Sequence, residues 1–500
     1  MRNKLIRFIL IAVTALFIFF QLTSCKTNDT NNNTTDGTDT SQNATDTASS
    51  DTIQETTVPG YTLSIPEGTD YGGADFTFYV YDNSNSVWYD MDFSAMEETG
   101  EIINDAALRR MQQTEAILNV NIKAAPIGNY YGTDTKLITS IKAGTGQYDA
   151  AMLNARSASV LVLGDYLADL YSLPGFDITA PWWDKNAVDD LTINNKLQMI
   201  TGDISVMYKK SIEILLFNKQ LLQQYSLDDP YKLVAENKWT LDRVYDMVKA
   251  TAQDLNGNGK VDADDRFGFL CFNDTMGAML IGSGVTFISR GEDGYPELTF
   301  FNDRTVTAFN KIADIMYDPA VANNWQTSKI TDNDALFMAG QSMLDNAEFQ
   351  TVETMRQMDT DFGILPMPLL DETQDSYHHT INPYVAAMVT VPADITNPER
   401  TANVLDALGY YSKQVLTPAY YEKTLKQKGA RDDESEAMID LIFNTVHYDL
   451  GYVYNWGNID QLALNLAQKS DRNITSAYDK AEPKINTAIE KAIDQFKGIS

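Results

Sequence analysis

From residue 74 onward the chain alternates short apolar runs with helical-period runs, and this alternation restricts the fold more than any other feature. Residues 76–81 alternate aromatic and β-branched side chains and predict a strand. Residues 101–118 place Ile103, Ala107, Met111 and Leu118 on one helical face. A strand over 120–124, a helix over 134–143 and a strand over 148–153 come next. Alternating βαβ units imply a mostly parallel sheet covered by helices, with ligands outside the carboxyl ends of its strands. The theme recurs further on. An apolar strand is expected over 212–217, and further strands over 362–365 and 384–391. Thr240 is placed to cap a helix carrying Leu241, Val244, Tyr245 and Val248, and Asp303 one carrying Val306, Phe309, Ala313 and Met316. Further helices are expected over 398–412 and 432–444. About 435 residues remain for folding, enough for two cores, so the expected architecture is α/β in two lobes.

The first 25 residues bear on compartment. Arg2, Lys4 and Arg7 precede an apolar run over 8–20, interrupted only by Thr14. That run is short of the roughly 20 residues a membrane span needs, and suits the core of a signal peptide. Leu22-Thr23-Ser24-Cys25 then resembles a lipobox, in which small residues admit the peptidase and the Cys25 thiol takes a diacylglycerol. Residues 26 to about 60 are mostly Thr, Asp, Asn, Ser and Gly and cannot form a core, which suits a disordered spacer. The expectation is a signal peptide over 1–24, and a lipidated cysteine with a linker over 25–66.

Charge and rare residues narrow the chemistry. The net charge is −31, which argues against nucleic acid or an anionic membrane surface as partners. Only Cys271 accompanies Cys25, so there is no disulfide framework, and Cys271 lies in an apolar run that suits packing. With three histidines and no HExxH, GxSxG or P-loop pattern, a histidine-rich zinc site or a nucleophile triad is disfavoured. A pair of carboxylates acting on a glycoside stays open.

One loop carries metal chemistry of its own. Asp254, Asn256, Asn258, Gly259, Lys260, Asp262 and Asp265 fill positions 1, 3, 5, 6, 7, 9 and 12 of an EF-hand-like loop. Carboxylates, amides and the Lys260 carbonyl are the hard oxygens calcium prefers, and Gly259 permits the sharp turn. Position 12 is Asp where Glu is usual, and the segment from Arg266 onward reads as a strand, so this is half an EF-hand. A structural Ca2+ is expected here; the alternative is a polar turn.

Five blocks together resemble the extracellular solute-binding protein family 1, the maltose- and multiple-sugar-binding group, in its clostridial lipoprotein branch. They are PWWDKNAVDDLTINNKLQMITGDIS (181–205), LLFNKQLLQQYSLDDPYKLVAENKWTLDRVYDM (215–247), DLNGNGKVDADDRFGF (254–269), FGILPMP (362–368) and LTPAYYEKTLKQKGARDDESEAMIDLIF (416–443). The resemblance implies a type II periplasmic-binding-protein fold, two discontinuous lobes joined by crossover strands with a ligand cleft between them. Lobe 1 would take 67–210 plus 384–412, and lobe 2 would take 211–383 plus 413–500. It also implies a monomeric, lipid-anchored protein on the outer face of a bacterial cell membrane. Such a protein hands a carbohydrate, in the first instance an oligosaccharide, to ABC permease subunits, and is not an enzyme. A lipoprotein that senses a ligand for a membrane kinase, and a surface carbohydrate-active enzyme, are the alternatives.

A sugar site needs aromatics to stack and carboxylates, amides or Arg to hydrogen-bond. Position on such a fold selects Trp88 and Tyr89 after the first strand, Asn154 and Arg156 after the third, and Asp203 near the first crossover. Asn273 and Asp274, Glu348 and Phe349, and finally Tyr384 and Trp456 complete the expected ligand set. Trp182, Trp183 and Trp239 are expected to pack within a lobe.

Overall fold

The computed structural model describes residue 58 and residues 61–81, 92–93, 95–127, 133–421 and 433–498. Its strands, in chain order, are β1 (Ala74–Tyr81), β2 (Val120–Ile127), β3 (Ala150–Asn154), β4 (Glu213–Asn218), β5 (Phe267–Cys271), β6 (Ile288–Arg290), β7 (Pro296–Leu298), β8 (Ala322–Asn324), β9 (Ser342–Glu348), β10 (Phe362–Leu365) and β11 (Ala387–Thr390). They form two main sheets. One has the order β11-β3-β1-β2, the other β10-β4-β9-β5-β8, and β6 and β7 make a separate hairpin.

The first sheet arises from the alternation at the start of the folded region. β1 pairs in parallel with β2 from Ala74 opposite Val120, and with β3 from Phe78 opposite Ala150. Helix Ile102–Leu118 makes the first crossover, burying Ala107, Met111 and Leu118 as its period requires. β11 returns from far along the chain to pair antiparallel with β3. In the second sheet β5 runs parallel to both β8 and β9, whereas β4 is antiparallel to β9 and β10. Each sheet is thus mixed, and each takes strands from separated stretches of chain. The fold is α/β with two lobes, as expected.

Local signals hold, with small shifts. Thr240 caps helix Leu241–Thr251 by accepting the Arg243 N–H. The cap of helix Asp303–Met316 is Asn302, one residue before the expected Asp303, which instead supplies negative charge in the first turn. The strand expected over 384–391 contracts to Ala387–Thr390, because the Tyr384 N–H and the Val385 and Ala386 N–H groups turn back onto Asn382.

The lobes are held by tryptophan-centred packing. Trp182 lies edge-on to Tyr61 with centroids 4.7 Å apart, and the Trp239 indole donates to the Pro366 carbonyl at 3.0 Å. Trp182, Trp183 and Trp239 are all buried, as their surroundings in the sequence suggest. Cys271 is buried too, and burial pushes its thiol up, so it is a packing residue rather than a nucleophile.

Between the sheets runs a three-ply ribbon. The Glu213 N–H donates to the Thr380 carbonyl and the Asn382 N–H to the Ser211 carbonyl, tying the chain that enters β4 to the chain that leads to β11. On the other side the His379 N–H donates to Thr445, and the His447 N–H to His379, each at 2.9 Å. His379 is fully buried and its Nε2 accepts the Met367 N–H. Burial pushes its imidazole down to about 3, so it sits there neutral.

Candidate functional site

The carboxyl ends of β5, β8 and β9 open on one side of the second sheet, and the residues just past them define a cavity of about 500 Å³. β5 delivers Phe272 and Asp274, β8 delivers Trp325 and Gln326, and β9 delivers Asp345, Asn346, Ala347 and Glu348. Asn382 and Val385, on the crossover leading to the first sheet, close the other side. A ligand here would touch one lobe and the connection to the other.

Trp325 is the aromatic face of this cavity. The Trp325 N–H donates to the Cys271 carbonyl at 3.2 Å, and Asn273 bridges the same two loops by accepting from the Asn324 amide and donating to Gln326 Oε1. The backbone is therefore fixed while the residue remains 40% exposed, which leaves the ring open for a flat ligand to stack on.

The acids around it lie deep. Glu348 accepts the Asn382 amide through Oε1 at 2.7 Å, while its buried Oε2 has no hydrogen-bond partner among the described residues. Burial pushes Glu348 up to about 8, with the Asp274 charge adding to the effect. Behind it Glu213, fully buried, is raised well above the usual carboxylate range by burial and by Glu348. Asp345 is raised by burial and by Asp334, and Asp274 rises to about 6 through burial and the neighbouring Asp460. Burial and mutual crowding thus raise Glu348, Glu213 and Asp345 most, and Asp274 less.

The residues expected to hold the ligand separate into groups. Asp274 and Glu348 line the cavity and Asn273 braces it. Arg156 and Tyr384 stand next to it: the guanidinium pairs with Asp460, donates to the Val453 carbonyl, and lies 5.1 Å from the Tyr384 ring. Four of the expected residues fall elsewhere. Asn154 is buried, capping helix Ala155–Leu163 through Ser157 N–H and donating to the Tyr81 hydroxyl. Asp203 is buried between Lys209 at 2.8 Å and Lys413 at 2.9 Å, joining the first crossover to helix Ser412–Leu416, and lines a different cavity. Phe349 is fully buried against Phe443, and Trp456 is buried in a stack with Tyr454 at 4.8 Å. These four brace the structure. Trp88 and Tyr89 lie outside the described residues. Trp325 escapes sequence reasoning, since the strand that delivers it is only Ala322–Asn324 and two of its three residues are Asn.

The 254–265 loop is held by hydrogen bonds to its own acids. Asp254 accepts the Gly257 and Gly259 N–H groups at 2.7 and 2.8 Å, and both glycines adopt positive φ, at 69° and 70°. Asp262 accepts from the Asn256 and Asn258 amides, and Asp265 from the Leu255 and Asp262 N–H groups. Gln253 and Arg266 pair across the neck, with helix Leu241–Thr251 leading in and β5 leading out. Among the described residues no three acidic, His or Cys side chains stand close enough to hold a metal by themselves. An ion here would rely equally on Asn256, Asn258 and the Lys260 carbonyl.

No protein-family model matches the chain, and no curated protein matches it. Solved structures do. The cyclic α-maltosyl-1,6-maltose binding protein of Arthrobacter globiformis aligns at TM-score 0.57 and 16% identity over 84% of this chain and 100% of its own. An ABC substrate-binding protein of Listeria monocytogenes in complex with cycloalternan aligns at TM-score 0.55 and 16% identity, over 84% of this chain and 99% of its own. UgpB of Mycobacterium tuberculosis in complex with glycerophosphocholine aligns at TM-score 0.57 and 16% identity over the same shares. The chain thus has the two-lobed fold of ABC solute-binding proteins. At these identities the likeness establishes the fold.

Proposed function

We propose that this chain is the solute-capture subunit of an ABC importer, and that it takes a carbohydrate between its lobes. The observation that carries this reading is the solvent-exposed Trp325 on the wall of a cavity ringed by carboxyls and amides, beside the crossover that joins the two sheets. An indole offers a flat face to the C–H face of a sugar ring, and the surrounding oxygens take its hydroxyls. Closure of the lobes around the ribbon would complete the contacts, because a ligand favours the closed form only through interactions better made there. The ligand should be recovered unchanged, as binding proteins need no turnover. A thermal-shift panel of mono- and oligosaccharides tests this, since a ligand at 100 times its Kd adds about 2.7 kcal/mol. No shift with any saccharide would refute the carbohydrate reading.

The same proposal places the protein on the outer face of a bacterial membrane, held by a lipid on Cys25. Among the described residues no helix is long and apolar enough to cross a membrane. Cys25→Ser should leave the leader uncleaved or release the protein from the membrane fraction. A processed mutant that still partitions into detergent would contradict the anchor.

We also propose that the 254–265 loop holds calcium in a structural role, its donor set being three carboxylates, two amides and a carbonyl. Extracellular loops of this kind bind at about 10⁻⁴–10⁻³ M. Chelation should lower the melting temperature of the intact protein, and Asp254→Ala should remove that sensitivity. Equal melts with and without chelator in metal-stripped buffer would end the idea.

A further inference from the structure

Two acids meet where the crossovers enter the second sheet. Glu213, the first residue of β4, lies directly opposite Glu348, the last residue of β9. The Phe349 N–H donates to the Ile212 carbonyl at 3.2 Å, so the next pair along, Glu213 and Glu348, is of the non-hydrogen-bonded kind. Such partners have Cα atoms about 4.5 Å apart and side chains on one face, where like charges oppose each other. Glu213 is fully buried, and Glu348 is 6% exposed at the edge of the cavity.

The amides around the pair account for half of its oxygens. Asn346 Oδ1 accepts the Thr275 hydroxyl, which turns the amide nitrogen toward Glu213 Oε2 at 3.1 Å and the Ile214 carbonyl at 3.0 Å. Asn382 Oδ1 accepts the Tyr384 N–H, which turns its nitrogen toward Glu348 Oε1 at 2.7 Å. Glu213 Oε1 and Glu348 Oε2 remain, both buried and both without a hydrogen-bond partner among the described residues. Two ionised carboxyls have no donor to offer each other, whereas one proton makes one of them a donor and leaves the other an acceptor. The ionisable groups facing the pair are Asp274 and Tyr452, and beyond Asp274 Arg156 is already paired with Asp460. No cation among the described residues neutralises the pair.

We infer that Glu213 and Glu348 share a proton and that this proton makes capture of the solute pH-dependent, Glu213 acting through Glu348 as a positioning residue. This rests on the solute-binding reading above. With the proton in place Glu348 stays beside Asn382, and both crossovers and the cavity wall are tied at one point. Burial, with the Asp274 charge, holds the proton on Glu348 up to about pH 8, and burial with the Glu348 charge raises Glu213 as well. Above that the proton goes to the buffer and two carboxylates face each other. Glu213 is enclosed, so Glu348 is the one that turns out, away from Asn382 and into the cavity. A solute that fills the cavity excludes that arrangement and prefers the protonated pair. Binding therefore takes up a proton at alkaline pH, and affinity falls as pH rises through about 8.

Calorimetric titration of the purified protein with maltotetraose, cellotetraose and mannotetraose, at about pH 6.5 and about pH 9 and in buffers of different ionisation heat, tests the coupling. Affinity should fall about tenfold between the two, with proton uptake at the higher pH. Glu213→Gln gives Glu348 a permanent donor, so it should flatten this profile. Infrared spectra of the solute-free protein test the proton itself. A protonated-carboxyl band should disappear between about pH 6.5 and about pH 9.5 in the wild type, and its loss should be smaller by one group in Glu213→Gln. Equal affinity at both pH values, or the same fall in Glu213→Gln, would overturn the coupling. Identical infrared differences in wild type and variant would overturn the shared proton. No saccharide binding at either pH would refute the carbohydrate reading and the coupling with it, and the infrared difference would then decide the shared proton alone.

Discussion

Between pH 5 and pH 8 the ligand-free protein should lose stability, its melting temperature falling by several degrees. Glu348 is raised to about 8, chiefly by burial, and Asp406 to about 7 for the same reason. Glu213 and Asp345 are raised well above the usual carboxylate range as well. In an unfolded chain all four would ionise near pH 4, so across this window the folded state binds more protons than the unfolded one. The linkage slope is then negative: stability is fully present below the unfolded values and is lost as pH climbs toward the folded ones. Each group contributes about 1.4 kcal/mol per pH unit at most, less whatever water penetration relieves. His379 opposes this below about pH 6.5, since it is held neutral in the fold and protonates when unfolded. One histidine offsets about one carboxyl, so the net sign survives. Scanning calorimetry at several pH values checks it, and Glu348→Gln should flatten the profile by one group's share. A melting temperature that rises from pH 5 to pH 8 would contradict the protonated-carboxyl picture.

Removing Trp325 should cost ligand affinity and little else. The indole is 40% exposed in the apo fold, so Trp325→Ala takes little from the core. Covered by a sugar ring, it would contribute at least about 1.5 kcal/mol, so affinity should fall about tenfold or more. Trp456→Ala supplies the contrast. That ring is 3% exposed in its stack with Tyr454, and its loss should lower the stability of the apo protein by about 3–5 kcal/mol. Trp325→Ala destabilising the apo protein while leaving affinity intact would show the ring to be structural.

The contrast between these two tryptophans shows how far a sequence can be read. Strand and helix order is legible from local patterns: the period-2 run in β1, the helical face of Ile103, Ala107 and Met111, and the Thr240 cap are decided by neighbours a few residues apart. Which way a loop residue faces is decided by partners far along the chain. Asp203 reads as a free carboxylate until Lys413, 210 positions away, is folded against it. Phe349 comes directly after a strand whose end reaches the cavity, yet Phe443 covers it. Glu348, one residue earlier, meets the cavity. Trp325 leaves no periodic trace because Ala322–Asn324 is too short and too polar to announce a strand. Its signal is compositional: a Trp after two Asn, in a stretch with little apolar to bury it.

Small-angle scattering with and without a saccharide that passes the thermal-shift screen tests the two-lobed capture mechanism most directly. The account predicts a smaller radius of gyration at saturation, and no change on adding the same saccharide to Trp325→Ala at a concentration too low to saturate the variant. A radius that stays constant at full occupancy would contradict closure around the ribbon at 211–213, 379–382 and 445–447.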